Sequence, residues 1–377
     1  MITLRPGSHV HRLLHLLATA GEIPSGALPL LGNWRVLSAL VHRLTSAQDI
    51  RFEKGGQVYR ARLIQTSGRK GRRTIRLYRK GLPVLDGLWP GLLDWYLDAH
   101  KGHSFSNDRF HIERNHRVAE AVALCMAAGV EARPYALPAL QKAAIIKTVP
   151  DAPAFYIARD LKRAGGDGTS KTAYTRLVGA LFCPGGAYAA YNTRAAVMKW
   201  SGLGEAKAQG GLLELARMNA GRTDIPSALL FGAGPDTALA TILESDKSRR
   251  HDLRFDRIYP HVHFVPLDQN GARLLGILVS PDWNERLLNA LFEPHQRSYD
   301  RGAMEYDAID GSTLILSQLD GNIARLIRFR DALDVFAEQA SVLCYPWQTP
   351  FLKSYLGSRA GIRELDMSAV EASLGLN

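Results

Sequence analysis

Apolar residues recur at helical spacing from the first turn of the chain. Val10, Leu13, Leu14 and Leu17 line one face of residues 8–21, with Ser8 placed to cap the start and Gly21 the end. Pro24 opens a short second segment that closes at Gly32. Asn33 is a cap for a third helix over Trp34–Leu44, with Val36, Leu37, Leu40, Val41 and Leu44 on its inner face. The period then changes from helical to alternating. Residues 58–65 and 74–78 read as two strands joined by the glycine-containing turn 66–73. Helix, short helix, helix and a two-stranded hairpin is the order of a winged helix-turn-helix.

Residues 80–100 read as a closing helix, and 101–108 as a polar linker. Beyond it, a helix is expected over 115–128, then strands at 154–158, 177–182 and 187–192. Next come a helix at 205–219, a strand at 226–231 and a helix at 235–244. The remainder continues as alternating elements. Strands are expected at 262–267, 312–318 and 341–345, helices at 282–292 and 322–336, and a last short helix follows. The pattern predicts an α/β (α+β) chain in three parts: 1–100 a winged helix, 109–245 a nuclease-like α/β domain and 246–377 an α/β extension.

Charge sharpens this picture. Residues 51–80 hold eleven Lys and Arg against one acid, while the whole chain of 377 residues carries a net +11. The rest is therefore close to neutral, and the surplus falls where a wing should be. Cations on such a finger release counterions from a phosphate backbone. Asn33, Arg35, Ser38 and His42 on the third helix, with Arg60, Arg62, Arg69, Lys70, Arg72, Arg73 and Arg76 on the hairpin, are the candidate DNA-contacting residues. A solvated basic hairpin that resists edge-to-edge pairing is the alternative. So is a winged helix that binds protein. Cys125, Cys183 and Cys344 are odd in number and show no CxxC spacing, which points to reduced thiols and a cytoplasmic protein. No apolar run is long enough to span a bilayer.

Helix, three strands, helix, strand is the order of the PD-(D/E)XK nuclease core. An active core needs an acid on its second strand and an acid-x-Lys element on its third, gathered around Mg²⁺. Here Gly179 and Asn192-Thr193-Arg194 occupy those regions, so neither a catalytic residue nor a metal or other cofactor is assigned. Glu120 and Glu205 are the displaced carboxylates nearest the role; ordinary helix-surface or capping positions explain them as well. A rival chemistry lies in His261-Val262-His263. Two histidines on one face of a strand hold metal in HUH relaxases, with Tyr299 or Tyr306 as nucleophile and His251 or His295 as third ligand. No P-loop is present, and Gly165-Gly-Asp-Gly168 reads as a loop. Trp200 beside Lys199 is a stacking candidate, or core filler.

The segment RLYRKGLPVLDGL after the hairpin, and RLVGALFCPGGAYAAYNTRAAVMKWSGLGEAKA over 176–208, resemble the replication-relaxation family of plasmids and integrative conjugative elements. The resemblance spans roughly 8–245. It implies a winged helix followed by a nuclease-like domain, acting in the replication or transfer of a mobile element. Where many members carry acids, this chain carries Gly179 and Asn192. The expected partners are double-stranded DNA and a relaxase or replication protein, with a homodimer as a candidate assembly and no membrane. A DNA nuclease or nickase, and a plain winged-helix transcription regulator, are the alternatives.

Overall fold

The computed structural model describes residues 1–52, 58–68, 73–130, 132, 153–159, 176–183, 186–199, 203–220, 224–245, 247, 254–298, 304–336 and 339–376. The chain is a mixed α/β protein in two compact units, Met1–Pro138 and Ala139–Asn377.

In the first unit, α1 (His9–Ala20) starts at Ser8, whose hydroxyl accepts from the His11 amide, and stops at Gly21, where φ reaches 80°. A side chain at Gly21 would strike the His100 ring, so only glycine fits this end. A strand, β2 (Glu22–Pro24), leads into α2 (Leu28–Leu31) and α3 (Trp34–Leu44). Asn33 caps α3 by accepting from the Arg35 and Val36 amides. Leu13, Leu14, Leu17, Leu31, Leu37 and Leu44 are fully buried, each contributing about 1.5–3 kcal/mol by leaving water. Val36, expected on the inner face of α3, is 47 % exposed, because the buried stripe is narrower: Leu37, Val41 and Leu44.

The basic segment divides between two sheets. Strand β3 (Gln48–Phe52) pairs antiparallel with β4 (Val58–Ala61) and parallel with the N-terminal β1 (Ile2–Leu4). Strand β5 (Ile64–Ser67) forms a separate antiparallel hairpin with β6 (Thr74–Leu77), and β6 pairs with β2, giving the order β2-β6-β5. Residues 58–65, expected as one strand, are therefore two. Leu63 and Ile64 are adjacent and both fully buried. A regular strand would send them to opposite faces, so the chain bends between them. Leu63 is held at the bend: its amide donates to the Leu44 carbonyl and its carbonyl accepts from the Tyr78 amide.

The closing helix is two helices, α4 (Val84–Leu88) and α5 (Leu92–Ala99), broken at Trp89-Pro90-Gly91. Helix α6 (Arg109–Ala127) follows, capped by Asp108. It packs on α1, α2 and β2, so it belongs to the first unit and does not open the second.

The second unit holds a five-stranded sheet in the order β11-β10-β9-β8-β7. Strands β7 (Ala154–Ile157), β8 (Leu177–Cys183) and β9 (Gly186–Arg194) form an antiparallel meander. Strands β10 (Ser227–Gly232) and β11 (His261–Pro266) add in parallel. Helices α7 (Leu203–Ala220) and α8 (Pro235–Ser245) lie in the crossovers, with the short α9 (Phe255–Ile258) before β11. The strands are near-continuous buried runs, as expected of a sheet covered on both faces.

Helices α10 (Gln269–Leu278) and α11 (Trp283–Leu291) then lead to a second sheet, β12 (Ala308–Asp310), β13 (Thr313–Ser317), β14 (Gln339–Cys344) and β15 (Gly361–Glu364). Its last three strands are parallel and joined through α12 (Ile323–Leu333) and α13 (Thr349–Leu356), and α14 (Met367–Ser373) follows. Cys125, Cys183 and Cys344 are all buried.

Candidate nucleic-acid interface

Helix α3 presents Arg35, Val36, Ala39, His42 and Arg43 to solvent, with Ser38 half-buried beside them. Asn33 is exposed at the helix start, but its side-chain oxygen is used in capping. Arg43, which the sequence pattern did not single out, ties α3 to its surroundings: its Nε donates to Gln48 Oε1 and its Nη2 to the Met1 carbonyl. The Leu63–Leu44 hydrogen bond joins the other side of the helix end to the root of both hairpins. The carboxyl end of α3 and the two basic strand pairs thus share one anchor.

The hairpin cations fall into three groups. Arg60 and Arg73 are exposed, as are Arg51, Arg79 and Lys80. Arg62 is half-buried: its Nε donates to the Ile64 carbonyl, and its guanidinium lies 4.5 Å over the Tyr78 ring. Arg76 is committed elsewhere. Its Nη2 stands 2.6 Å from Glu22 Oε2, Glu22 is fully buried, and Asn115 Nδ2 donates to the other carboxylate oxygen at 2.6 Å. The Arg76 guanidinium also lies 5.0 Å from the Phe105 ring centroid. Arg76 therefore braces β6 on β2 through Glu22, which Asn115 in turn ties to α6, and is withdrawn from the candidate phosphate contacts. Arg69, Lys70 and Arg72 lie outside the described residues. The positive field is felt locally. His103 is held below its ordinary value by burial first, then by Arg79 and Arg76.

The His261–His263 pair faces one side of β11, as its spacing requires, with rings 6.4 Å apart and 20° from parallel. Its partners are structural. His263 Nδ1 is 2.9 Å from the Asp320 carbonyl, and His261 Nδ1 accepts from Asn322 Nδ2 at 3.1 Å. Burial pushes both imidazoles down to about 4. Asp320, also buried, is pushed up to about 6. Among the described residues no three His, Cys, Asp or Glu side chains come together in a way that could hold a metal ion. His295 is exposed, Tyr306 is half-buried, and His251, Tyr299, Trp200 and 165–168 lie outside the described residues. Glu120 is buried in α6, in the first unit. Glu205 is raised chiefly by its own burial.

Gly179 is packed against β7. A Cβ there would lie 2.2 Å from the Tyr156 carbonyl oxygen and 2.6 Å from the Phe155 ring, so an acidic side chain has no room at this position. Asn192 is fully buried, and its side-chain oxygen accepts from the Arg194 amide. Among the described residues no helix is long and apolar enough to cross a membrane. Comparison of the chain with protein-family models, curated proteins and solved structures returns no match.

Proposed function

We propose that this chain is a DNA-binding accessory protein of a mobile element, gripping duplex DNA through its first unit and acting without cleavage. The order α1, β2, α2, α3 and then, after the intervening β3–β4 pair, β5 and β6, with the sheet order β2-β6-β5, supports reading that unit as a winged helix-turn-helix. In this reading α3 enters the major groove with Arg35, Ser38 and His42, and the β5–β6 hairpin lies along the phosphates. The observation that carries it is the concentration of positive charge in 51–80, the segment that follows α3 directly in the chain. The meander β7-β8-β9 followed by α7 and β10 supports a nuclease-like scaffold, and Gly179 and Asn192 support its lack of a metal site. A relaxase or replication protein is the partner such an accessory serves.

The test is fluorescence anisotropy of the full chain on labelled duplexes over a range of salt. Changing Arg69, Lys70, Arg72 and Arg73 together to Ala lowers affinity on every sequence alike, and flattens the salt slope by roughly 0.9 per lost phosphate contact. Unchanged affinity and slope would refute the wing. Incubation with supercoiled plasmid and Mg²⁺ or Mn²⁺ leaves the plasmid intact. Nicking that disappears in His263→Ala would replace this reading with a nickase.

A further inference from the structure

The first unit also contains a cavity. It lies against the β1-β3-β4 sheet and α4, with a volume of about 540 Å³, in the usual range for small-molecule sites. The strand register explains its lining. Ile50 pairs with Tyr59 and Gln48 with Ala61, so Ile50, Phe52, Tyr59 and Ala61 share the face that looks into it. Phe52 and Tyr59 meet edge to face with centroids 6.0 Å apart. Pro83, Val84 and Gly87 close the far side. Gly87 is required there, since a Cβ would lie 2.1 Å from the Phe52 ring. Arg60 and Lys80 stand on the wall, both exposed. The wall's carboxylate, Asp86, is engaged by the Leu93 amide through Oδ1.

Aromatic rings with an apolar backing and cations at the edge are what an unstacked base and its phosphate need. Tyr59, packed edge to face on Phe52, is 43 % exposed rather than sealed in the core. We propose that this cavity binds an unpaired nucleotide of DNA. The base stacks on Tyr59 against the apolar wall, and the flanking phosphate sits by Lys80. The proposal rests on the DNA-binding reading of the first unit and deepens it: the substrate is a junction between duplex and single strand, such as a processed end or a melted origin. The surrounding charge, with the exposed Arg51, Arg60, Arg79 and Lys80 on adjoining elements, suits a polyanionic chain better than an isolated apolar ligand.

The test compares three labelled DNAs on the full chain by anisotropy: a blunt duplex, the same duplex with a short thymidine overhang, and a short oligothymidylate. The wild type binds the overhang more tightly than the blunt duplex. Tyr59→Ala removes that difference, roughly a tenfold loss for one stacked base, and leaves blunt-duplex affinity in place. Tyr59→Phe retains it. Lys80→Ala, a change at a solvent-facing side chain, weakens overhang binding and repeats the test without touching the aromatic pair. If Tyr59→Ala lowers blunt and overhang affinity equally, or changes neither, the nucleotide site is refuted while duplex binding stands. If the wild type binds none of the three DNAs, the site and the DNA-binding reading fall together.

Discussion

Arg76 shows how one neighbour decides what a charged residue does. It sits among cations that face water, yet its guanidinium meets a fully buried carboxylate and an aromatic ring. Removing one partner of a buried pair leaves the other charge uncompensated. Arg76→Ala is therefore expected to cost about 3–5 kcal/mol in urea denaturation, while the folded fraction keeps the wild-type salt slope on DNA. Arg73→Ala should do the reverse. A second residue-scale prediction concerns pH. His261 and His263 stay neutral in the fold down to about 4, whereas unfolded histidine takes a proton near 6.5. Their contribution is fully present above 6.5 and is lost as pH falls toward 4. Asp320 opposes them: its folded carboxyl protonates from about 6 downward, before the unfolded one does. Two histidines outweigh one aspartate, so stability should fall on acidification by about 1.4 kcal/mol per pH unit across this window. Denaturation midpoints between pH 7 and 4 check this, and His263→Gln should flatten the slope.

Elements with strong periodicity were legible in the chain, and those set by close packing were not. Helices α1 and α3 announce themselves through Leu and Val spacing and through Ser8 and Asn33, both of which cap as expected. The buried strands β7 to β11 announce themselves as apolar runs between glycines and prolines. Helix α10 did not, because Gly271 and Gly276 lower its helix propensity. Gly271 is there for packing, since any Cβ would overlap the Pro266 carbonyl. Strands β1, β12 and β15 have three, three and four residues, too short for a period to emerge. The basic segment misled in a more specific way. Alternation carried the expected strand past Arg62, and only the adjacent buried Leu63 and Ile64 marked the bend that makes two hairpins. Charge and helical face did foretell that the candidate residues Arg35, His42, Arg60 and Arg73 face solvent, with Ser38 half-buried. The partners that withdraw Arg76, and the role of Arg43 in bracing α3, depend on Glu22 and Met1, distant in sequence, and on Gln48 just past the helix end.

At the scale of the molecule, the surplus positive charge and the proposed DNA surface belong to one compact unit. Residues 1–138 expressed alone are expected to unfold in one cooperative transition and to reproduce the salt slope of the full chain, measured by circular dichroism and anisotropy. A slope that needs the second unit would move phosphate contacts there. The three thiols give this architecture a built-in reporter. Cys125 lies in the first unit, Cys183 and Cys344 in the second, and all are sealed from solvent. Burial raises Cys125 and Cys344 away from the reactive thiolate. An alkylating reagent therefore marks a cysteine only during a moment of opening. Its position in a peptide map then tells which half of the chain breathed, a stopwatch for each unit with no label to engineer.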